Sequence, residues 1–277
     1  MTLFVVSTPI GNLDDLSSRA RRILSEVDLI VAEDTRRSSI LLSRWGITTS
    51  MIPLHEYNER STLPDLIERL KAGKKIALVS DAGTPLISDP GYILVRECGG
   101  LGIAVSPIPG PCSVIAALSV AGLPTDQFVF RGFLPPKKNE RRSLLISLAA
   151  KNITQVFFEV PHRIASTISE MKEIMPGREI TICRELTKNF EQVVLSTVEE
   201  IDSMLMAGEI PLKGEFVLLI RGTQAQKNYD EDRLLNILLK EMSPSRAASV
   251  VSKFLSLPKA NFYDKALTLK RNLELEN

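Results

Sequence analysis

Residues 78–91 read LVSDAGTPLISDPG, a short apolar run that ends abruptly in a loop of small residues, prolines and carboxylates. The run begins at Ile76, soon after Gly73, and its continuous apolar character is typical of a buried strand in an α/β protein. In open α/β sheets, ligands bind beyond the carboxyl ends of the strands. The stretch therefore predicts an α/β fold with a ligand site directly after this strand.

The loop itself has the composition of a ligand pocket. Gly83 and Gly91 allow a ligand to approach the main chain closely, and Pro85 and Pro90 restrict the path of the loop. Asp81 is predicted to lie at the end of the strand. There its carboxylate can accept hydrogen bonds from a ligand hydroxyl or amine.

The charged residues at the strand ends allow two interpretations. Ser80 and Asp81 either bind a ligand or close a turn, and residues 89–91 either line the pocket or open a helix. Residues 33–37, EDTRR, follow another apolar run. Their carboxylates can orient a hydroxyl and their arginines can hold phosphate, or they form a helix start with acidic residues near its positive end.

Length and composition indicate a globular chain of about two domains. The chain has 277 residues, of which 44% are hydrophobic, and a formal net charge of +1. A local basic surface can exist on a nearly neutral molecule, so this charge neither requires nor excludes a nucleic-acid partner.

The cysteines are odd in number and widely separated, and the chain has two histidines. Cys98, Cys112 and Cys183 indicate neither a disulfide framework nor a zinc site, so we expect no metal and read them as reduced thiols in the cytoplasm. The amino terminus lacks a basic start, and no run approaches the length of a membrane span. We therefore expect a protein that is neither exported nor membrane-embedded.

The first half of the chain alternates between short apolar runs and helical patterns, which favours a mainly parallel sheet. The strands are predicted at Leu3–Val6, Leu29–Ala32, Ser50–Leu54, near Ile76 and at Ile103–Ile108. The helices are predicted at Ser17–Val27, Ser38–Trp45, Thr62–Ala72 and Tyr92–Cys98. The proline-rich segment 107–111 can continue neither a helix nor a central strand, so we place a domain boundary there.

The second half has strand-like runs without intervening helices, which favours a mixed sheet. After Gly222 a polar linker precedes a helical pattern, in which Pro244 and Pro258 mark helix starts. The predicted domains are residues 1–110, an α/β domain with a parallel sheet, residues 111–222, a second α/β domain, and residues 228–277, a small helical appendage.

Other polar clusters are ambiguous when taken alone. Three such clusters follow apolar runs: His55 with Glu56, residues 158–163 and residues 184–188. A structural hydrogen bond or salt bridge explains each of them as well as a role in catalysis or binding does. The most basic stretch comprises Arg131 and residues 137–142, KKNERR, with five positive residues and one negative. It suits either phosphate contact or a solvated loop and helix start. Neither the glycine fingerprint of dinucleotide-binding folds nor a Walker A sequence occurs, which disfavours nicotinamide enzymes and P-loop ATPases.

Taken together, eight segments occur in an order and spacing that closely resemble the ribosomal RNA small subunit methyltransferase I family, within the tetrapyrrole methylase superfamily. They are TPIGNL, AEDTR, SDAGTPLISDPG, PGPCS, LPTDQFVFRGFLP, the PHR of FEVPHR, RELTK and KGEFVLLI. The resemblance covers about residues 2–222 and is weaker in the tail. It implies a tetrapyrrole methylase-like fold of two α/β domains, usually a homodimer, with S-adenosylmethionine bound in the cleft between them. The implied reaction is methylation of the ribose 2′-hydroxyl of cytidine 1402 in 16S rRNA of the small ribosomal subunit.

The resemblance also implies a set of cofactor-binding residues. These are Pro9, Asp81, Ala82, Gly83, Thr84, Ile87, Ser88, Ser113, Phe158, Glu215, Phe216 and Val217. Superfamily members that modify tetrapyrroles carry a more glycine-rich first loop than residues 8–12, TPIGN, so the resemblance favours RNA as the substrate.

Methyl transfer from a sulfonium is an in-line displacement, so we expect most of the acceleration to come from positioning. The 2′-hydroxyl is a weak nucleophile, and a carboxylate or lysine within hydrogen-bond reach could accept its proton. Our hypothesis is that Asp34, supported by Glu33 and Glu56, handles the hydroxyl. The RNA backbone would be held by Arg36, Arg37, Arg163, Arg184 and Lys188.

Two other functions remain open at this point. A tetrapyrrole-precursor methyltransferase would share the fold but would need a pocket for a large polycarboxylate ring. A non-catalytic RNA-binding protein would bind ribosomal subunits without affinity for the methyl donor.

Overall fold

The computed structural model describes residues 1–223, 231–255 and 258–275. The chain divides into two compact units, Met1–Thr223 and Gln224–Asn277. The first unit contains two five-stranded sheets, and the second contains helices. Within the described residues no helix has the length and apolar character needed to cross a bilayer.

The first sheet is entirely parallel, as predicted. Its strands are β1 (Thr2–Val6), β2 (Leu29–Ala32), β3 (Met51–Pro53), β4 (Lys75–Val79) and β5 (Ala104–Ile108), in the order β3-β2-β4-β1-β5. The intervening helices are α1 (Ser18–Glu26), α2 (Thr35–Arg44), α3 (Glu59–Lys71) and α4 (Tyr92–Gly100). Because all five strands run in one direction, the polar loops after β1, β2 and β4 emerge at one edge of the sheet.

Helices cover both faces of this sheet. Leu24 of α1 and Leu42 of α2 belong to a buried cluster with alternate strand residues such as Ile30. On the other face, Leu70 of α3 and Leu94 of α4 pack with the opposite set of strand residues. Burial on both faces explains why these strands are continuous apolar runs in the sequence.

The second sheet is mixed, which confirms the prediction. Its strands are β6 (Phe128–Phe133), β7 (Thr154–Glu159), β8 (Glu179–Arg184), β9 (Gln192–Thr197) and β10 (Phe216–Ile220), in the order β6-β7-β10-β8-β9. Strands β6 and β7 are parallel, and the other three pairings are antiparallel.

The second sheet is also covered on both faces. Its helices are α5 (Ser113–Val120), α6 (Lys138–Leu148), α7 (Pro161–Ile174) and α8 (Val198–Ala207). On one face, the buried cluster contains Leu145 of α6, Ile168 of α7 and Ile201 of α8. On the other face, α5 packs over the sheet together with Ile10 from the loop after β1. This contact joins the loops of the first sheet to the second sheet.

The second unit contains the predicted helical appendage. Its helices are α9 (Glu231–Leu239), α10 (Pro244–Leu255) and α11 (Ala260–Leu275). Helix α10 begins at Pro244, as predicted from the missing N–H of proline at the first helical position. The predicted start of this region at residue 228, most of the predicted linker, and Leu257 lie outside the described residues.

Some helix starts differ from the sequence-based expectation. Helices α2 and α3 each begin three residues before the predicted start, at Thr35 and Glu59. Asp34 accounts for the first difference because its side chain accepts a hydrogen bond from Arg36 N and caps α2. In residues 137–142 the helix start that the sequence allowed is present, since α6 begins at Lys138, and it buries Arg141.

Candidate active site

The loop after β4 opens onto a cavity of about 430 Å³ between the two sheets of the first unit. This volume lies within the range of small-molecule sites. Residues 81–84 and 87–89 form one wall, and residues from β7, β8 and β10 form the opposite wall. The cavity therefore lies beyond the carboxyl end of β4, where the sequence places a ligand site.

Hydrogen bonds hold the loop after β4 against the rest of the first wall. Thr8 and Gly83 form a two-way main-chain bridge, with N···O distances of 2.8 and 3.0 Å. Thr84 Oγ1 donates to the carbonyl oxygen of Pro111 at 2.9 Å and lies 2.9 Å from Ser7 Oγ. The loop is thus fixed before any ligand binds.

The loop also contains unusual backbone conformations. Leu86 and Ser88 have positive φ angles of 73° and 68°, which cost energy in residues with a side chain. Gly91 has a φ angle of 115°, and a Cβ atom at this position would lie 2.6 Å from Leu78 Cδ2. Such conformations cluster at ligand sites, where the surrounding structure holds them in place.

Two carboxylates at neighbouring strand ends form a connected network in the cavity. Asp81 Oδ1 accepts a hydrogen bond from Asp34 N at 3.0 Å, and Asp81 Oδ2 lies 3.3 Å from Arg37 Nη1. Glu33 Oε2 accepts from Asp81 N at 3.3 Å. Burial raises the pKa of Glu33, and the hydrogen bond from Asp81 N opposes this effect. The network fixes both carboxylates at the first wall.

A third carboxylate, that of Asp89, lines the same cavity. Burial raises the pKa of Asp89 to about 6, and the neighbouring charges of Glu33 and Asp81 act in the same direction. A hydrogen bond with the Ser80 side chain opposes these effects. Within the described residues Asp89 forms no ion pair, in contrast to Asp81.

The second wall combines aromatic rings with polar groups. Phe158 contacts Phe130 and Phe133 edge to face, with ring centroids 4.9 and 5.4 Å apart. Cys183 also lines this wall, and burial raises the pKa of its thiol to about 12, so it remains protonated. Glu159 is buried and pairs with Arg163 at 2.7 Å.

A loop after β8 joins this wall to the loop after β1. Thr187 Oγ1 accepts from Asn12 N at 3.1 Å, and a Cβ atom at Gly11 would clash with the Lys188 side chain. Lys188 Nζ donates to Glu185 Oε1 at 2.9 Å and to Glu215 Oε2 at 3.0 Å. These contacts hold the loop after β8 against the loop after β1.

The structure brings together most of the predicted cofactor-binding residues. Eleven of the twelve line the cavity, and the exception is Pro9, which is buried between Thr8 and Ile10. The eleven are Asp81, Ala82, Gly83, Thr84, Ile87, Ser88, Ser113, Phe158, Glu215, Phe216 and Val217. Their role in binding the donor stays a prediction.

The three predicted catalytic carboxylates lie in different environments. Glu33 lines the cavity, whereas Asp34 and Glu56 do not. Arg36 donates to both carboxylate oxygens of Asp34, at 3.0 and 2.7 Å, and these hydrogen bonds lower the pKa of Asp34 to about 2. Such a carboxylate is a weak base at neutral pH. Glu56 is exposed in the loop before α3.

The predicted RNA-binding cations are also dispersed. Arg37 lines the cavity, and Arg36 is exposed beside it. Arg163 and Lys188 form ion pairs at the second wall. The Arg184 guanidinium is largely buried and donates to the carbonyl oxygens of Lys213 and Phe190, at 2.6 and 3.1 Å. These bonds give Arg184 a structural role that requires no RNA.

The basic stretch 137–142 is largely neutralised within the protein. Arg141 forms a buried bidentate pair with Glu170, at 2.9 and 2.7 Å. Arg142 pairs with Glu173, and Lys137 pairs with Glu140. The structure therefore favours the structural interpretation of this stretch over phosphate contact.

Sequence reasoning missed several residues of the cavity. Asp89 lies within the motif quoted first, but its side chain could equally have served as a helix cap. Phe133 and Leu186 lie within the segments LPTDQFVFRGFLP and RELTK but were not singled out, and Cys183 gave no signal. All three reach the cavity only when the second sheet packs against the loops of the first. Among the described residues no cluster of three or more histidine, cysteine or acidic side chains is arranged to hold a metal ion.

Comparisons with known proteins agree with this architecture. A family model described as Tetrapyrrole (Corrin/Porphyrin) Methylases matches residues 2–202, and one described as RsmI C-terminal HTH domain matches residues 226–270. The structure is similar to that of uroporphyrin-III C-methyl transferase from Thermus thermophilus complexed with S-adenyl homocysteine. The TM-score is 0.55 at 16% identity, covering 80% of this chain and 97% of that one, so this likeness concerns the fold.

The fold and the cavity thus define a methylase, and the chain belongs to the tetrapyrrole methylase family. It is 44% identical over 272 residues to ribosomal RNA small subunit methyltransferase I of Pseudomonas aeruginosa, with 96% of each chain covered. It is 45% identical over 266 residues to the protein of the same name from Xylella fastidiosa, covering 95% of this chain and 97% of that one. Within the superfamily, the chain belongs to the ribosomal RNA small subunit methyltransferase I family, which confirms the predicted resemblance.

Proposed function

We propose that this protein transfers the methyl group of S-adenosylmethionine to the ribose 2′-hydroxyl of cytidine 1402 in 16S rRNA of the small ribosomal subunit. The relationship to ribosomal RNA small subunit methyltransferase I supports the acceptor, and the charge of the cavity supports the donor. Among the described lining residues five are acidic, Glu33, Asp81, Asp89, Glu159 and Glu215, and Arg37 is the single cation. Such a lining attracts a sulfonium and an ammonium group and repels a polycarboxylate. It therefore supports the donor and disfavours a tetrapyrrole precursor in the same cavity.

The residues present fit this donor in other respects. The rings of Phe158 and Phe133 and the side chain of Leu186 offer apolar contact for a nucleoside base. Asp81 and Glu33 are held by main-chain N–H groups and can accept hydrogen bonds from the donor's hydroxyl or amino groups. When bound, the donor supplies an electrophilic methyl carbon. The rigid loop after β4 then positions the reacting groups, which is the main source of acceleration in an in-line displacement.

The second unit supports RNA as the acceptor. Residues 242–263 contain no acidic residue but contain Arg246, Lys253 and Lys259. Arg246 and Lys253 are exposed on α10, and their spacing of seven residues places them on one face of the helix. Lys259 donates to Ser245 Oγ at 3.0 Å, which keeps a third cation beside α10. A basic face of this kind can contact phosphates without reading sequence.

We include a homodimer and a cytoplasmic location in the proposal. Four apolar side chains are exposed, as expected of an interface between two protomers. They are Ile115 and Val120 of α5 and Val193 and Leu195 of the edge strand β9. The three cysteines are free thiols, which suits a reducing compartment. Sedimentation of wild-type protein and a Leu195→Arg variant tests the dimer, because the variant should sediment as a monomer if β9 lies in the interface.

A direct test uses labelled donor with small ribosomal subunits, naked 16S rRNA or a porphyrinogen as acceptor. We expect label on the subunit or its RNA, at the ribose of cytidine 1402, and none on the porphyrinogen. Label on the porphyrinogen alone would establish the tetrapyrrole alternative. Subunit binding without donor affinity would establish a non-catalytic RNA-binding protein.

A second test maps ribose methylation in cells that lack the protein. The modification at cytidine 1402 should disappear and return when the wild-type gene is restored. Retention of full methylation in those cells would contradict the proposal.

A further inference from the structure

The carboxylates in the cavity differ in the hydrogen bonds and ion pairs that they already form within the protein. Asp81 accepts a main-chain N–H and lies beside Arg37, and Glu33 accepts the main-chain N–H of Asp81. Asp89 lines the same cavity, but Ser80 is its hydrogen-bonding partner and no cation of the described residues pairs with it. Its carboxylate therefore keeps capacity for a group that enters the cavity.

The protein holds Asp89 in place from both sides. Before it, Ser88 N donates to Leu86 O at 3.1 Å, and both residues have positive φ angles. After it, Gly91 packs against Leu78, and the first turn of α4 is fixed by buried Glu59, whose Oε1 accepts from Ile93 N and Leu94 N at 2.9 and 3.2 Å. A group held this rigidly is suited to act on a bound substrate without rearrangement.

We propose that Asp89 is a catalytic residue that accepts the proton of the ribose 2′-hydroxyl during methyl transfer. A bond forms between the 2′-oxygen and the methyl carbon, the bond between that carbon and sulfur breaks, and its electron pair remains on sulfur. The hydroxyl proton moves to the Asp89 carboxylate and later to water. This inference rests on the proposed function, because it requires a ribose hydroxyl in the cavity.

The electrostatic surroundings suit this role better than those of Asp34. Glu33 from the end of β2 and Asp81 from the end of β4 face Asp89, with Arg37 of α2 beside Asp81. Burial and these two negative charges raise the pKa of Asp89 to about 6. At neutral pH it is mostly ionised, yet it is a stronger base than Asp34, whose pKa is lowered to about 2 by Arg36.

The test measures single-turnover methyl transfer to small ribosomal subunits at saturating donor, from about pH 5 to about pH 8. The wild-type rate should rise with pH as one group is deprotonated, reach half of its maximum at about pH 6 and level off at higher pH. Asp89→Asn should lower the rate by about 10²–10⁴-fold and remove this dependence on pH. Its affinity for the donor, measured by calorimetry, should change by less than about tenfold.

Asp65→Asn is the matched control, because Asp65 is an exposed residue of α3 that pairs with Arg69. A wild-type rate independent of pH would overturn the inference. An Asp89→Asn protein whose rate equals that of the wild type, or still falls at acid pH, would overturn it as well. Loss of donor affinity with an unchanged rate at saturating donor would make Asp89 a binding residue instead. Absence of methylation by the wild-type protein would contradict the proposed function itself, which keeps the two failures distinct.

Discussion

The main-chain N–H of Asp34 donates a hydrogen bond of 3.0 Å to Asp81 Oδ1, so one carboxylate joins the carboxyl ends of β2 and β4. The other oxygen of Asp81 lies 3.3 Å from Arg37. Asp81 lines the cavity while it holds the loop that follows β2. Its side chain is therefore rigid and charged at the point where a cationic donor would bind.

Replacing Asp81 with alanine should weaken donor binding by about 10- to 100-fold, since a hydrogen bond to a charged group contributes about 1.5–3 kcal/mol. Calorimetric titration with S-adenosylmethionine measures this change. Asp81→Asn keeps an acceptor for Asp34 N and removes only the charge, so it separates the two effects. Asp65→Ala serves as the control, and unchanged affinity of Asp81→Ala would refute the assignment.

The positive φ angle of Gly91 allows a second prediction. Gly91→Ala should lower the free energy of unfolding by about 1–3 kcal/mol, because alanine is strained at this φ angle and its Cβ would meet Leu78. Gly99→Ala in the same region should raise stability by about 0.5–1 kcal/mol, because Gly99 is helical and a Cβ atom there would point into open space. Urea unfolding of both variants measures the difference. Equal effects would contradict this account of Gly91.

The sequence was sufficient to predict most of the fold. Strands β2, β4 and β10 are almost entirely buried, so each is a mainly apolar run that local pattern can identify. The extent of helix α6 was not predicted, because its first turns carry the charged residues of KNERR, for which the sequence allowed only a solvated loop and helix start. Burial of Arg141 depends on Glu170, which is 29 residues away in α7 and invisible to a local pattern.

The candidate site was less predictable than the fold. Sequence placed Asp34 and Asp81 at strand ends but could not say which carboxylate faces the cavity. The Asp34 side chain caps α2 and binds Arg36, and this arrangement follows from the extended backbone of Asp34 itself. Similarly, Arg184 ends β8, but its guanidinium reaches main-chain carbonyls that only tertiary packing brings close.

The buried pair of Arg141 and Glu170 gives a third prediction. Their side chains are only 5% and 6% exposed. Arg141→Met should destabilise the protein by about 3–5 kcal/mol, because it leaves Glu170 buried and unpaired, and replacing Glu170 with leucine as well should recover most of the loss. Arg142→Met, which breaks a more exposed pair with Glu173, should cost less than about 1 kcal/mol. Thermal unfolding of the four proteins, including wild type, tests this order. A destabilised double variant would show that the charges themselves are needed.

The network around Lys188 should make stability depend on pH. Burial raises the pKa of Glu185, but hydrogen bonds from Lys188 and Glu215 N outweigh this and leave it below the ordinary value. Burial lowers the pKa of Lys188, but its hydrogen bonds to Glu185 and Glu215 leave it raised. The pair therefore stabilises the protein above the unfolded pKa of glutamate, about 4.3, and below that of lysine, about 10.4.

Lys188→Met should accordingly cost about 1–3 kcal/mol at neutral pH. This cost should shrink as pH falls through the lowered pKa of Glu185 and as pH rises through the raised pKa of Lys188. Urea midpoints measured at acid, neutral and alkaline pH test this shape. Lys137→Met removes an exposed pair and should show no comparable maximum. A cost for Lys188→Met that is constant with pH would mean that packing against Gly11, rather than the ion pairs, provides the stabilisation.

The acid-free segment 242–263 yields the last prediction, which concerns RNA affinity. Arg246→Glu and Lys253→Glu should each weaken binding to small ribosomal subunits, because each removes a cation that can face a phosphate and adds a repulsive charge. The logarithm of the affinity decreases as the logarithm of the salt concentration increases. The magnitude of this slope should become smaller by about 1 for each phosphate that is no longer neutralised. Filter binding at several salt concentrations measures both quantities.

Lys240→Glu is the matched control, because it makes the same change in net charge at the end of the preceding helix, next to Glu241 and outside the acid-free segment. Donor affinity should be unaffected in all three variants, since α10 contributes no residue to the cavity lining. If Lys240→Glu weakens binding as much as Arg246→Glu does, overall charge rather than the face of α10 governs the association. If none of the three alters the salt dependence, the RNA phosphates bind elsewhere, and the exposed arginines beside the cavity, Arg36 and Arg37, become the residues to replace next.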